Sequence, residues 1–229
     1  MRPVSQSALT RTSGRVKSRA MTLPEFSPTS LNVTDLSLER GNIPLISGLN
    51  LTANSGDAVV LLGRNGVGKT TLLRALAGVL RPRAGSLFYS DVPAETAASK
   101  CCAFLGHEDA LKPDETPRQS LAFWSRLSNS PLAVDEALDE MGLRALADRP
   151  SRRLSQGQKR RTALARIAVQ NRPVWLLDEP AAPLDGDGRA RLSNIVSSHL
   201  KRGGLVVAAT HQALDWPNAR TQELARCAL

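Results

Sequence analysis

Long apolar runs are missing from this 229-residue chain. No stretch approaches the roughly 18 consecutive apolar residues that a membrane-spanning helix needs, and the mean hydropathy of -0.20 suits a soluble module. Any membrane attachment is therefore expected to run through a partner. Cysteine is scarce too: Cys101, Cys102 and Cys227 form no C-x-x-C pair, and their odd number without a secretory signal implies reduced thiols and no metal site. The adjacent Cys101 and Cys102 read as strand residues facing opposite sides.

Acidic residues are nearly absent from the first 30 positions, where Arg2, Arg11, Arg15, Lys17 and Arg19 face Glu25 alone. That leader holds +4 of the formal net charge of +9. Residues 1–28 are rich in Ser, Thr and Arg, carry Pro24 and Pro28, and show no apolar period, so they are expected to be disordered. The composition is that of an organellar transit peptide without its apolar stripe, and a true start at Met21 accounts for it as well. The pI near 10.3 raises nucleic acid or an anionic surface as partners. With the leader set aside, the remaining charge is ordinary for a module that binds a polyanion, and no nucleic-acid partner is expected. Residues 29–229 have the length for one sizeable core.

What is present is organised around Gly63-Arg64-Asn65-Gly66-Val67-Gly68-Lys69-Thr70-Thr71, which follows the apolar run Ala58 to Leu62. That run reads as a buried strand. From Lys69 the apolar residues Leu72, Leu73, Leu76, Val79 and Leu80 take a helical spacing, so the glycine loop lies between a strand and a helix N-terminus. Glycines let successive N–H groups point at one polyanion, and the helix adds its positive dipole end. Lys69 places an ammonium on the outer phosphates and the Thr70 hydroxyl can ligate Mg²⁺. The loop predicts binding of a nucleoside triphosphate.

Alternation at Leu31, Val33, Leu36 and Leu38 and again through Ile46, Leu49 and Leu51 predicts two strands joined at Gly41-Asn42. Ser86 to Tyr89 and Cys101 to Leu105 read as further strands. Thr116 to Leu143 reads as two helices broken at Asn129-Ser130-Pro131, with Leu121, Trp124 and Leu127 on one face and Val134, Leu138 and Met141 on another. Val174 to Leu177 is a buried strand that delivers Asp178 and Glu179, and Leu205 to Ala209 is another that hands over to Thr210-His211. Leu192, Ile195, Val196 and Leu200 line a helix between them, in which His199 is expected to be solvated.

Leu154-Ser155-Gln156-Gly157-Gln158 runs into the basic helix Lys159-Arg160-Arg161, and a serine and a glycine at a helix start make a second anion site. With these motifs in this order, the chain closely resembles the ATPase subunits of ATP-binding cassette (ABC) transporters over roughly residues 31–215. L-S-Q-G-Q matches that family's signature, W-L-L-D-E-P its Walker B strand, Ala181-Ala182-Pro183-Leu184-Asp185 its D-loop and Thr210-His211-Gln212 its switch histidine. The resemblance implies an α/β fold: a P-loop NTPase (RecA-like) core, an N-terminal antiparallel β subdomain and a small inserted helical subdomain at about 114–152. It also implies ATP and Mg²⁺, with Thr70 and Asp178 at the metal, Glu179 activating water, and His211 at the γ-phosphate. Ser155 and Gly157 would reach the γ-phosphate on a second copy, and Gln156, Gln158 and Asp185 count with them among the nucleotide-binding residues.

Two positions depart from the family pattern. Arg40 stands where an aromatic usually stacks on adenine; its guanidinium either stacks instead or is a solvated turn arginine. His107 stands where a coupling glutamine belongs, in Gly106-His107-Glu108-Asp109-Ala110-Leu111-Lys112-Pro113. That run, the helix with Trp124 and the short helical lobe resemble the ATPase subunits of the cytochrome c maturation system. The implied partners are a small integral-membrane permease and a haem-handling membrane protein, on the cytoplasmic face of a bacterial inner membrane, with ATP driving haem export or release of a haem-loaded chaperone. A cassette for another cargo and a soluble non-transport cassette ATPase stay open.

Overall fold

The computed structural model describes residues 25–212, 214, 216 and 218–224. Two strands, β1 (Ser30–Arg40) and β2 (Ile43–Asn54), form a hairpin closed at Gly41-Asn42, where Gly41 takes a φ of 61°. The apolar β3 (Ala58–Leu62) then enters the glycine loop, and α1 (Lys69–Leu76) leaves it. β4 (Ala84–Tyr89) and β5 (Val92–Pro93) return to the hairpin and complete an antiparallel sheet in the order β2-β1-β4-β5. α2 (Ala94–Cys101) leads straight into β6 (Cys102–Leu105).

Two short helices follow, α3 (Pro117–Leu127) and α4 (Val134–Glu140). Thr116 caps α3 with a reciprocal box to Gln119, Pro117 sits at its first turn, and Asn129 turns the chain with a φ of 48°. The chain then alternates through α5 (Gln156–Val169), β7 (Val174–Asp178), α6 (Gly186–Lys201), β8 (Leu205–Ala209) and β9 (Ala219–Glu223). The second sheet is parallel in the order β6-β7-β8-β3-β9.

The period-2 alternation of the parallel strands splits their side chains between two cores. Trp175, Leu177, Val206 and Ala208 face the core that holds α3 to α6. Val174, Leu176, Val207 and Ala209 face the core shared with α1, α2 and the antiparallel sheet. Both faces are covered, which is why these strands read as unbroken apolar runs. The architecture is the α/β cassette expected from the sequence, with the antiparallel sheet on one side of the parallel one.

Four expectations need correction. Cys101 ends α2 and is not in a strand, and the two thiols converge instead of facing opposite sides, with Sγ atoms 3.6 Å apart. Burial pushes the Cys102 thiol up, while the hydrogen bond from Cys102 holds the Cys101 thiol down. Leu127, in the last turn of α3, is exposed and does not join Leu121 and Trp124 on the packed face. Of the expected leader, residues 1–24 lie outside the described residues, but Phe26 is bound to the module. Its N–H donates to Arg202 O at 2.8 Å, and the Arg202 guanidinium lies 4.4 Å from its ring centroid.

The fourth correction is His199, which is buried and not solvated, at 2% exposure. Its ring stacks on Trp175 with centroids 3.9 Å apart, and Phe26 meets it edge-on at 5.2 Å. Nε2 lies 3.1 Å from Pro173 O while Nδ1 has no hydrogen-bond partner among the described residues, which fits the neutral ring protonated at Nε2. A side chain at Gly204 would run into this ring, so glycine is needed there for close approach. Burial pushes the His199 pKa down to about 3. The unfolded chain takes up the proton below about pH 6.5 and the folded chain does not, so stability is complete above that pH and falls as pH drops toward 3. Between pH 6.5 and 5 this amounts to about 2 kcal/mol. His199→Gln is expected to flatten that part of the stability profile, measured as urea midpoints against pH. An undiminished slope in the variant would assign the acid sensitivity to other groups.

Candidate active site

The carboxyl ends of β3, β7 and β8 meet at one edge of the parallel sheet, and three loops with chemistry leave from there. Register sets this: Leu61 pairs with Ala209, and Asp178 pairs with the same Ala209 from the other side. Past the ladder, Glu179 N–H donates to Ala209 O at 2.8 Å and Thr210 N–H to Leu61 O at 3.2 Å. A cleft of about 960 Å³ opens above this edge. Its walls include Asn65, Gly66, Gly68, Lys69, Thr70 and Thr71 from the glycine loop. Asp178, Glu179 and His211 come from the strand ends, and His107 and Gln156 from other elements.

The loop is shaped for close approach by an anion. Gly66 has a φ of 80° with open space where a Cβ would stand, so the cleft side of the loop is bare backbone. Gly63 meets a second constraint, since a Cβ there would come within 2.8 Å of Leu224 O. Val67 is buried and anchors the loop, whereas Gly63, Arg64 and Val67 are not among the residues lining the cleft. Lys69 is 7% exposed, and its Nζ donates to Gly63 O at 2.6 Å and Arg64 O at 3.3 Å. The ammonium is thus held inside the ring of the loop, at the start of α1, where a phosphate would meet it together with the helix dipole.

Oxygen donors stand beside it. Thr70 Oγ1 donates to Asp178 Oδ2 at 2.8 Å. Asp178 is nearly inaccessible, and burial pushes its carboxyl above the ordinary range against the opposing Thr70 bond. A hydroxyl and a buried carboxylate side by side suit a hard divalent cation, which would satisfy the charge that burial penalises.

Glu179 follows with a φ of 46°, a left-handed conformation that a non-glycine residue adopts at a cost of about 1–3 kcal/mol. Both its carboxylate oxygens are held: Oε2 accepts from Thr210 Oγ1 at 3.1 Å, and Oε1 lies 3.1 Å from His211 Nδ1. The carboxylate is oriented in the cleft wall, and His211, half exposed, reaches over it.

Ser155, Gly157, Gln158 and Asp185 do not line this cleft. Ser155 and Gln158 form a reciprocal box at the start of α5, at 3.2 and 3.0 Å, and Asp185 Oδ1 caps α6 through Gly188 N–H at 2.8 Å. Arg40 does line the cleft, with Leu45 and Leu80, and no Phe, Tyr or Trp is among the described residues that line it. Sequence reasoning missed Arg160 and Asp109, which form a buried ion pair of 3.2 Å on the cleft wall. The signal for Arg160 was a basic run at a helix start, which reads equally well as a solvated face, and Asp109 stood in the His107 loop with nothing to mark it as a partner.

Residues 46–182 match the ABC transporter family. The chain is 51% identical to the cytochrome c biogenesis ATP-binding export protein CcmA of Maricaulis maris (strain MCS10), over 88% of this chain and 95% of that protein. The protein of the same name from Paracoccus denitrificans (strain Pd 1222) is 45% identical over 85% and 88%. Among solved structures, a putative ABC transporter ATP-binding protein from Pyrococcus furiosus has a TM-score of 0.74 at 26% identity, covering 85% of this chain and 97% of that one. CbiO1 of Clostridium perfringens, part of the ABC transporter complex CbiONQ, has a TM-score of 0.66 at 28% identity, over 80% and 78%.

The placement of Lys69 gives the test of the cleft. A charge-assisted bond is worth about 1.5–3 kcal/mol, so Lys69→Ala should weaken MgATP binding roughly 10- to 100-fold in calorimetric titration. An unchanged affinity would remove the triphosphate from this loop.

Proposed function

Since the chain belongs to the ABC transporter family as an ATP-binding subunit, we propose that it hydrolyses ATP for a membrane complex that matures c-type cytochromes. The work done is haem export or release of a haem-loaded chaperone. The cytochrome role is supported by similarity to the cytochrome c biogenesis export proteins. The observation that carries the hydrolytic reading is Glu179, whose two oxygens are fixed by Thr210 and His211 at the edge where Lys69 and Asp178 converge.

In this reading the loop N–H groups and Lys69 bind the phosphates of ATP. Thr70 and Asp178 would hold Mg²⁺, which would offset negative charge on the phosphates. Glu179 orients the attacking water and accepts its proton, and a carboxylate held on both oxygens loses little order in doing so. His211 touches the γ-phosphate and keeps the site closed. Ser155, Gln156, Gly157, Gln158 and Asp185 act on the ATP of a second copy, since most of them stand outside their own cleft. His107 occupies the coupling position toward the membrane subunit.

Among the described residues no helix is long and apolar enough to cross a membrane. The proposed partners are a small integral-membrane permease and a haem-handling membrane protein, with the chain peripheral on the cytoplasmic face of a bacterial inner membrane.

Glu179→Gln is expected to bind MgATP with near-normal affinity, to hydrolyse it about 100-fold more slowly or worse, and to accumulate as an ATP-bound dimer. Turnover at the normal rate would remove Glu179 as the base. Deleting the gene should abolish haem-stained c-type cytochromes, with rescue by the wild-type chain and not by Glu179→Gln. Normal cytochromes in the deletion strain would assign the cassette to another cargo.

A further inference from the structure

The loop that carries His107 is held less by the sheet it leaves than by α5. Arg160, one turn into that helix, has a side chain only 5% exposed. Its two terminal nitrogens donate to successive main-chain carbonyls, Gly106 O at 3.1 Å and His107 O at 2.9 Å. Its charge is met by Asp109, whose carboxylate is 3.2 Å away. Two turns further along, Arg166 donates to Ala110 O at 3.0 Å, where Ala110 takes a φ of 49°. Three carbonyls of one short loop are therefore bound by guanidinium groups from a single helix. A planar fork that spans two carbonyls fixes a peptide's orientation, which a single ammonium cannot do.

The grip has a direction, because the first turn of α5 holds Ser155 and Gly157, the residues assigned above to the ATP of a second copy. His107 lines this copy's own cleft. We propose that Arg160 is a positioning residue for ATP hydrolysis, holding the His107 peptide so that its imidazole stays on the cleft wall and follows α5 when that helix moves. Not every donor of the guanidinium is committed: Arg160 Nε is buried with no hydrogen-bond partner among the described residues. This rests on the ATPase reading, and Lys69→Ala serves as the reference for its failure. If the wild-type complex shows no more ATPase than Lys69→Ala, the hydrolytic reading falls; the role of Arg160 is judged only against an active wild type.

The experiment is a double-mutant cycle on the chain co-purified with its membrane subunits, reading kcat, MgATP affinity and melting temperature. Arg160→Met should lower kcat about 10- to 100-fold, the cost of misplacing a catalytic neighbour. MgATP affinity should stay within about threefold, since no phosphate contact is lost. Arg160→Lys, which keeps the charge but not the fork, should lose less. The decisive readout is non-additivity: with His107 already Ala, neither Arg160 substitution should lower kcat further, because both act through the same ring. Multiplicative losses in the double variants, a His107→Ala variant with wild-type kcat, or affinity and melting temperature falling in step with kcat would each overturn the proposal. Should Arg160→Met fail to fold, the Arg160→Lys cycle carries the same test.

Discussion

Parallel register between three strands is the constraint on which everything else depends. β3, β7 and β8 stop within one residue of each other, and the two bonds past the ladder, Glu179 to Ala209 and Thr210 to Leu61, carry the alignment into the loops. A parallel sheet puts the carboxyl ends of all its strands on one edge, so residues more than 100 positions apart, such as Thr70 and Asp178, can share a hydrogen bond. Slipping any one strand by a residue would turn its core side chains to the other face and move the residues at its carboxyl end by more than 3 Å. Burial on both faces is what prevents the slip.

The same burial decides what could be read from the sequence. β3, β7 and β8 are unbroken apolar runs because both faces are covered, and each ends in its chemical residues, so strand and site were legible together. β9 was not, for the opposite reason: Ala219–Glu223 is an exposed edge strand of polar residues, held by backbone pairing to β3, and its side chains carry no period. α2 was hidden by the apolar residues just after it. Ala94–Cys101 is mostly alanine and polar residues, and only Ala94 and Ala98 are buried, so the strand signal from Cys102 onward spread backward over Cys101.

Buried polar residues were the hardest to foresee. His199 stands one residue before Leu200 in a helix whose other apolar positions follow the expected spacing, and nothing local says whether a histidine there turns in or out. The decision comes from Trp175 on β7 and Phe26 near the N-terminal end, both distant in sequence. Arg160 and Arg166 pose the same problem with opposite chemistry. A basic helix next to an anion site invites the view that its charge faces solvent or ligand, yet these two guanidiniums are spent on loop carbonyls. Part of the chain's excess positive charge is therefore internal scaffolding, which weakens any argument from net charge to a polyanionic partner.

Ser155 shows why a structural and a catalytic account of one residue need not compete. Its Oγ accepts from Gln158 N–H, which is ordinary capping and is reason enough for a serine at that position. Accepting through a lone pair leaves the hydroxyl hydrogen unspent. The first turn of any helix carries N–H groups that no helix carbonyl can take, and the box answers one of them at α5. A hydroxyl held in this way can still donate to another group without costing that bond. The box at the start of α5 therefore serves folding in the single chain and stays compatible with the role proposed for Ser155 toward a second copy.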